Sequence, residues 1–584
     1  MDNASIAEIL RQIAFILEIK GENPFKCRAY ANAARTIESW PHDLAELVAE
    51  GKWEKLKGIG EHLREKITTL VQTGELPYYE ELKASLPDGL LDLLDIPGLG
   101  PKKVKVLYDQ LHISNFEALE KACGDGRVAA LDGFGEKTAE NILAGIEQMR
   151  SYQNLHLGVE ALAQAEEIIE TLRQHPDVVR VNIGGSLRRG KEIVKDADIV
   201  ASSKKPKAVM AAFVKMDGVE RVLNHGETKS SVLLDDGLQC DLRVVDDKLF
   251  PYALHHLTGS KEHNIAMRQL AIRQNMKMSE WGLFQVSKKG EETLVPCKDE
   301  AELFGKFDMD YIPPELRENL GEIEAAREHA LPRLVEWTEM RGCFHVHTTA
   351  SDGKSPLEEM AETAEELGFE YLGIADHSKA AFQANGLNEK RLEEQIQKIR
   401  AHNAKKPACR LLAGTECDIL KDGKMDFDDS VLSKLDYVVA SVHSSFTLSE
   451  EDMTRRVIRA MENPHVTMLG HLTGRLLLQR PSYAINIPKI IDAAAATGTW
   501  IELNAHPYRL DMDWRWWKLA RDKGVKCVIN PDAHHASQLE HVKLGVLIAR
   551  KGWLRCEDVV NALPLKKLLP VLQADKSKRS ALFS

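Results

Sequence analysis

No run of 18 apolar residues occurs in this chain, and no charged-then-apolar leader opens it. Neither a membrane span nor a secretory signal is therefore expected, and a cytoplasmic location follows by default. The nine cysteines contain no Cys-x-x-Cys pair, which argues against both a disulfide framework and a zinc ribbon and leaves reduced thiols. An excess of positive charge is missing too. With 77 Lys and Arg against 89 Asp and Glu the net charge is -12, so wholesale electrostatic coating of nucleic acid is excluded. Any binding to DNA must come from local patches and backbone donors.

What is present is length. A chain of 584 residues, 43% hydrophobic and 28% charged, has a globular composition far too large for one core. A prior of roughly 150 residues per domain suggests three to five units.

The first 150 residues read as helical, as in "ASIAEILRQIAFILEIKG", whose apolar residues recur at three and four before Gly21. A short signature recurs among them: "LKGIGEHLREKI" from 56, "DIPGLGPKKVKVL" from 95 and "LDGFGEKTAENIL" from 131. Each places two glycines around one apolar residue ahead of an amphipathic helix. Free N–H groups at such a helix start, together with the helix dipole, favour a phosphate. The copies at Gly58 and Gly60, Gly98 and Gly100, and Gly133 and Gly135 resemble helix-hairpin-helix motifs, which implies nucleic-acid backbone binding.

From about 155 one long helix, "GVEALAQAEEIIETLRQ", precedes short alternating strands: "VVRVNIGGS", "DADIVASS", "SSVLLDD" and "LQCDLRVV". Asp196 and Asp198 would project from one strand face, and Asp241, inside a second alternating strand, is the candidate third acid. Three such carboxylates suit a two-magnesium site. The stretch "GGSLRRGKEIVKDADIV" resembles the nucleotidyltransferase signature, which implies that Gly185, Ser186 and Arg189 hold a triphosphate. Further on, "HHLTGSKEHNIAMRQLA" resembles the nucleotide-binding motif of family X DNA polymerases. That resemblance implies nucleotide contacts from His256, Thr258 and Gly259, and contacts to nucleotide and template from Asn264 and Arg268. The chain departs at the aromatic pair that often precedes Thr-Gly-Ser, carrying His256 and Leu257 there. A helical segment is expected from 250 to about 290, then the charged helix "GEIEAAREHALPRLVEW" as the exit from the domain and a linker to the next.

The N-terminal stretch "NPFKCRAYANAARTI" with "LKGIGEHLREKI" is similar to the small domain of these polymerases that binds the 5′-phosphate of a gap. By that resemblance Lys26, Tyr30 and His62 contact the phosphate, and Lys66 stands in the place of the Schiff-base lysine of a 5′-deoxyribose-phosphate lyase.

After 340 the rhythm becomes strand, polar tip, helix. The apolar runs "YLGIA", "RLLAG", "DYVVAS", "VTMLG", "TWIEL" and "KCVIN" end in tips bearing Asp376-His377, Glu416, His443, His471, Asn504 and Asp532-x-His534. They follow "RGCFHVHTTASDG", in which His345 and His347 face the same way about 7 Å apart along a strand. In parallel barrels the carboxyl ends of the strands meet at one mouth, so these residues would converge. The mixture of imidazoles and carboxylates suits zinc, manganese or iron, and exceeds the needs of one tetrahedral ion. These motifs resemble the polymerase-and-histidinol-phosphatase (PHP) domain, a distorted seven-stranded barrel of metal-dependent phosphoesterases. The implied ligands are His345, His347, Asp352, His377, Glu416, His443, His471, Asp532 and His534, whereas His402, His506, His535 and His541 fall outside the pattern.

The expected architecture is multidomain, α followed by α+β and α/β. A helical DNA-end-binding domain covers 1–85 and a second helix-hairpin-helix subdomain 86–150. A nucleotidyltransferase palm covers 151–246, a thumb-like subdomain 247–317, a linker 318–339 and a (β/α)7 PHP barrel 340–575. The expected activities are gap-filling DNA synthesis and 3′ trimming by a monomer acting on gapped or nicked DNA. Deoxynucleoside triphosphates, Mg2+ in the palm and two or three Mn2+ or Zn2+ ions in the PHP site are the expected small partners. Two rivals stand beside this reading: a DNA-end scaffold with a weak polymerase, and a small-molecule phosphatase on a polymerase-like arm.

Overall fold

The computed structural model describes residues 3–582 apart from 39, 41–43, 52, 54–58 and 97–98. It divides into two compact units, Met1–Gln153 and Asn154–Ser584. Among the described residues no helix is long and apolar enough to cross a membrane.

The first unit is helical. The helix Asn3–Ile19 buries Ile6, Leu10, Ile13 and Leu17, a 3.6-residue stripe, against Ala33, Ile37, Leu63, Ile67 and Leu70 from later helices. It stops before Gly21, whose φ of +71° a side-chain-bearing residue rarely adopts. A second core of Leu90, Leu93, Val104, Leu107, Leu119, Ile142 and Ile146 holds the later hairpins together.

The second unit opens with a five-stranded sheet in the spatial order Arg180–Ile183, Asp196–Ser202, Gln239–Val245, Lys229–Leu234, Val219–His225. Its core side is fixed by period-two alternation. Ala197, Ile199 and Ala201, with Cys240, Leu242 and Val244, pack under the helices Gly158–Arg173 and Pro206–Phe213. The intervening acids are thereby turned to the other face. The edge strand Val219–His225 was not legible beforehand, because nearly all its residues are exposed and it carries no apolar alternation.

Two further expectations are corrected. The segment from 250 to about 290 is not all helical. The helices Phe250–Thr258 and Lys261–Arg273 are followed by Asn275, at φ +57°, and then by a three-stranded antiparallel sheet: Met276–Ser279, Gly282–Val286 and Glu292–Leu294. The stretch 318–339 is not a free linker either. Its helix is limited to Glu322–Arg327, and Ile323, Ala326 and Leu334 enter the same core as Phe304 and Leu316. Pro332 lacks the N–H that a continuing helix would need. The Val335 N–H instead donates to the Leu554 carbonyl (3.0 Å).

Apart from the short antiparallel pair His156–Leu157 and Ile193–Val194, the remaining strands among the described residues, all after 340, pair in parallel. Gly342–Val346 pairs with Tyr371–Ile374 and that with Arg410–Ala413; Glu416–Asp418, continuing the third pass, pairs in turn with Val439–Ser441, Met468–Leu469, Trp500–Asn504 and Cys527–Asn530. A parallel bridge, Val346 to Ala533, joins the last strand back to the first. The interior is filled by Phe344, Tyr371, Leu412, Tyr437, Met468, Trp500 and Val528, and closed by Leu568, Val571 and Leu572 of the helix Leu565–Gln573.

Candidate active sites

In the palm, parallel pairing sets Asp198 opposite Asp241, with Asp196 two residues earlier on the same face. The three carboxylates crowd one another. Burial, and then the charges of Asp196 and Asp241, push the Asp198 carboxyl up to about 6. Asp196 is raised for the same reasons, burial first and then Asp241. Asp241 is lowered although burial opposes it, because Lys229 Nζ lies 2.8 Å from its Oδ2 and Gln239 donates to its Oδ1. A face with this much unbalanced negative charge is what a divalent cation relieves.

The Gly184-Gly185 turn lies directly against these acids. The Gly184 N–H donates to the Asp198 carbonyl (2.8 Å), and a Cβ on Gly185 would fall 2.2 Å from Asp198 Oδ2. Ser186 is half-buried in the short helix that follows. Arg189, expected at a triphosphate, is otherwise engaged. Its Nε donates to Glu318 Oε1 (3.0 Å) and its Nη1 to the Thr258 carbonyl (2.8 Å). Asn264 holds the Thr258-Gly259-Ser260 turn by donating to the His256 and Gly259 carbonyls (2.7 and 3.0 Å), while Arg268 stays exposed. His256 is half-buried, and Leu257 is the side chain that meets Gly184, 3.3 Å from where a Cβ there would sit.

In the N-terminal unit Gly60, Gly100 and Gly135 each precede the first residue of a helix, and a Cβ at any of them or at Gly133 would meet open space. Gly133 and Gly135 have φ of +80° and +79°, so only glycine fits that turn without strain. Gly58 and Gly98 lie outside the described residues. Lys26 and His62 are exposed. Tyr30 is not an open phosphate donor: it is buried and stacks on Tyr78, with ring centroids 6.4 Å apart. Lys66 is half-buried, its ammonium 3.3 Å from the centroid of the Tyr78 ring. Burial, and then the neighbouring Lys26 charge, lower its pKa.

At the strand tips of the C-terminal domain, all nine residues named from the sequence converge. They form overlapping groups: His347 with Asp352, His377 and His534; His345 with His471 and Asp532; His345 with His347 and Glu416; and His377 with Glu416 and His443. Glu416 is the centre. Its Oε1 lies 2.8 Å from His471 Nε2 and 3.2 Å from both His345 Nε2 and His443 Nε2, and its Oε2 lies 2.8 Å from His377 Nδ1. Burial opposes charge on His377, yet Glu416 and Asp352 push it up to about 11. His347, buried and flanked by His534 and His377, falls to about 3. His345 and Asp532 hold φ of +58° and +52°, strained values for residues with a side chain.

Residues not named from the sequence complete this centre. Glu502, wholly buried, lies 2.6 Å from His345 Nδ1 and accepts from the His471 N–H (2.8 Å), Asn504 Nδ2 (2.9 Å) and Asn530 Nδ2 (2.8 Å). Asp418 lies 3.3 Å from His443 Nδ1, and Arg509 Nε is 3.3 Å from Asp532 Oδ2. Engaging Nδ1 in this way turns each imidazole's Nε2 toward Glu416. Asp376, which the sequence placed at a strand tip, is buried beneath, accepting from Thr348, Ser351 and Gln395. The available signal for Glu502 was a lone acid inside the apolar run "TWIEL".

An acid trio on a nucleotidyltransferase-like sheet, and an imidazole–carboxylate cluster at parallel strand tips, define a chain with two separate centres for phosphate chemistry. Family models match accordingly: a helix-hairpin-helix domain over 1–76, a SAM-like helix-hairpin-helix tandem over 90–148, a DNA polymerase beta thumb over 253–318 and a PHP domain over 344–506. Among curated relatives, the DNA polymerase/3′-5′ exonuclease PolX of Bacillus subtilis is 39% identical over 569 residues, covering 97% of this chain and 98% of that protein. A probable phosphatase of Acetivibrio thermocellus is 28% identical over 230 residues, covering 37% of this chain and 89% of its own length. The chain belongs to the family X DNA polymerases that carry helix-hairpin-helix regions and a C-terminal PHP domain.

Proposed function

We propose that the chain fills short gaps in DNA during repair, adding deoxynucleotides at the palm and shortening 3′ ends at the PHP cluster, as a monomer bound to gapped or nicked DNA. The observation that carries this is the register that sets Asp198 beside Asp241 under the Gly184-Gly185 turn, in a unit that also assembles the nine tip residues. The extent and identity of the match to the Bacillus subtilis polymerase and exonuclease support both activities. Labelled gapped DNA incubated with and without nucleotides tests the proposal. Extension with nucleotides and 3′ shortening without them are expected. Neither occurring would leave an end-binding scaffold, and hydrolysis of small phosphate esters alone would favour the phosphatase reading.

Both centres fit divalent cations. Among the described residues His345 Nε2, both His347 ring nitrogens, His377 Nδ1 and Glu416 Oε2 are buried, and although His377 Nδ1 and His345 Nε2 lie 2.8 and 3.2 Å from Glu416, none of these atoms makes a hydrogen bond of proper geometry, which is costly unless an ion takes them. We assign Mg2+ to Asp196, Asp198 and Asp241, and two or three Mn2+ or Zn2+ ions to the nine PHP residues. Such ions lower the pKa of bound water and neutralise phosphodiester charge. The chain's own contribution is orientation: Glu502 and Asp418 hold the His345 and His443 rings, and the Gly184-Gly185 turn brings backbone close to Asp198. Glu502→Gln is expected to weaken metal affinity at the PHP site by about 10–100-fold. Metal titration followed by calorimetry and by 3′ shortening checks this, and excess metal should restore the rate.

The N-terminal unit is assigned to the gap's 5′ side, with Lys26 and His62 supplying exposed cationic contacts. Extension is expected to be roughly three- to tenfold faster on a gap bearing a 5′-phosphate, the worth of one or two exposed charged contacts, and the advantage should shrink with salt. Equal rates at low salt would remove this assignment. The lowered Lys66 amine is the one suited to Schiff-base chemistry, and borohydride trapping on a 5′-deoxyribose-phosphate end tests it.

A further inference from the structure

Residues 187–192, from the end of the short helix Gly185–Arg188 onward, link the Gly184-Gly185-Ser186 turn to the strand bearing Asp196 and Asp198, and they are gripped from the PHP side. Lys551 ends the helix Val542–Lys551 and is wholly buried. Its Nζ donates to the Arg189 carbonyl (3.0 Å), the Glu315 carbonyl (3.3 Å) and Glu318 Oε1 (2.6 Å). Beside it Arg475 Nη2 donates to Glu192 Oε1 (2.9 Å) and Arg550 Nε to Glu315 Oε1 (2.6 Å). Leu547 occupies the space next to Gly190, where a Cβ would lie 3.0 Å from its Cγ.

Glu318 is the hub of this contact. Besides Lys551 it receives Arg189 Nε at 3.0 Å and Lys191 Nζ at 3.3 Å. Burial opposes its charge, yet Lys551 and Arg189 hold its carboxyl down at about 2. Arg189 carries the constraint onward, since its Nη1 donates to the Thr258 carbonyl (2.8 Å), and Arg188 Nη1 donates to Thr258 Oγ1 (2.7 Å). A chain of hydrogen bonds thus runs from a PHP helix through Glu318 and Arg189 to the Thr258-Gly259-Ser260 turn. Lys551 Nζ also lies 4.3 Å from the centroid of the Trp514 ring, and none of its hydrogen bonds goes to any of the nine PHP residues. A lysine buried at such desolvation cost, with all its hydrogen bonds made to polymerase residues, serves the polymerase half.

We propose that Lys551 is a positioning residue for DNA synthesis: through Glu318 and Arg189 the PHP domain holds the Thr258-Gly259-Ser260 turn in the arrangement that accepts the incoming nucleotide. This rests on the polymerase reading of the palm. Removing the ammonium leaves Glu318 paired with Arg189 and Lys191, so the site loosens without an orphaned charge, and nucleotide binding is the step that suffers.

Single-nucleotide incorporation on gapped DNA with the full chain tests it, using Lys551→Met, Lys551→Arg and Glu318→Gln. In Lys551→Met the KM for the nucleotide should rise by roughly tenfold while kcat changes by less than about threefold. Lys551→Arg should restore most of the affinity, and 3′ shortening without nucleotides should keep the native rate. Glu318→Gln should raise KM as well, and the double variant should be no worse than the single ones, since both break one path. Hydrogen exchange at 184–192 should quicken in Lys551→Met and stay native at 343–347. A native KM and native exchange in folded Lys551→Met would overturn the inference, as would a parallel fall in both activities, which would mark a merely structural lysine. A native chain that extends no primer would instead remove the polymerase reading, and this inference with it.

Discussion

Replacing Asp196 and Asp198 by alanine together is expected to abolish primer extension, by about 10³-fold or more, and to leave 3′ shortening intact; His345→Ala with His347→Ala should do the reverse. Each pair belongs to its own centre, and losing a group that holds a cation removes several kcal/mol of charge stabilisation, where each 1.36 kcal/mol is tenfold in rate. The palm variant also carries an internal control for folding. Asp198 is pushed up to about 6 by burial and by Asp196 and Asp241, so in metal-free protein its ionised form costs stability. That cost is fully present above pH 6 and fades as pH falls from there toward the ordinary aspartate range, because the folded protein then takes up the proton. Asp198→Asn should therefore raise Tm in chelator at pH 8 and lose the gain near pH 4. A carboxylate variant that is folded by this measure yet has lost all nuclease activity would show that the two centres are not autonomous.

What the sequence disclosed and what it hid follow a physical division. The nine PHP residues were legible because most stand at or just beyond a strand end, where an apolar run stops abruptly in an imidazole or a carboxylate, and parallel topology then leaves one place for the strand ends to meet. The palm acids were legible because a strand's period of two decides which face each residue takes. Residues that act on those residues were harder. Glu502 reads as a strand interior and Asp418 as a tip neighbour, and only the fold shows them behind His345 and His443. Arg189 and Tyr30 have partners that the sequence did not show, for a related reason. Their types suit phosphate, but Glu318 and Tyr78, remote in sequence, engage them first. Lys551 looks like an ordinary cation closing a surface helix, and it is buried by partners more than 230 residues away. Local pattern sets which face a residue takes; long-range pairing sets what it meets there.

Gly185→Ala is expected to cost about 10²–10³-fold in extension while leaving nuclease activity unchanged, although it adds one methyl group far from the PHP site. Gly185 holds φ of +60°, where an alanine is strained by roughly 1–2 kcal/mol. The larger difficulty is space. The added Cβ would lie 2.2 Å from Asp198 Oδ2 and 3.0 Å from its Cγ, separations that non-bonded atoms do not sustain. The turn cannot simply retreat, because the Gly184 N–H is bonded to the Asp198 carbonyl at 2.8 Å and ties the two segments together. The carboxylate must therefore rotate away, out of register with Asp196 and Asp241, and a displacement of about 1 Å at a reacting centre is enough for a hundredfold loss. Gly184→Ala provides the contrast. Its backbone is extended, at φ -117°, and its Cβ would meet Leu257 Cβ at 3.3 Å and Asp198 Cβ at 3.7 Å, so a small adjustment of Leu257 accommodates it and only a few-fold loss is expected. Single-nucleotide incorporation rates for the two variants, with Tm measured alongside, decide the matter. Equal impairment by both would mean that the turn acts through its general flexibility, and a fully active Gly185→Ala would mean that Asp198 does not work from the position it holds beside this glycine.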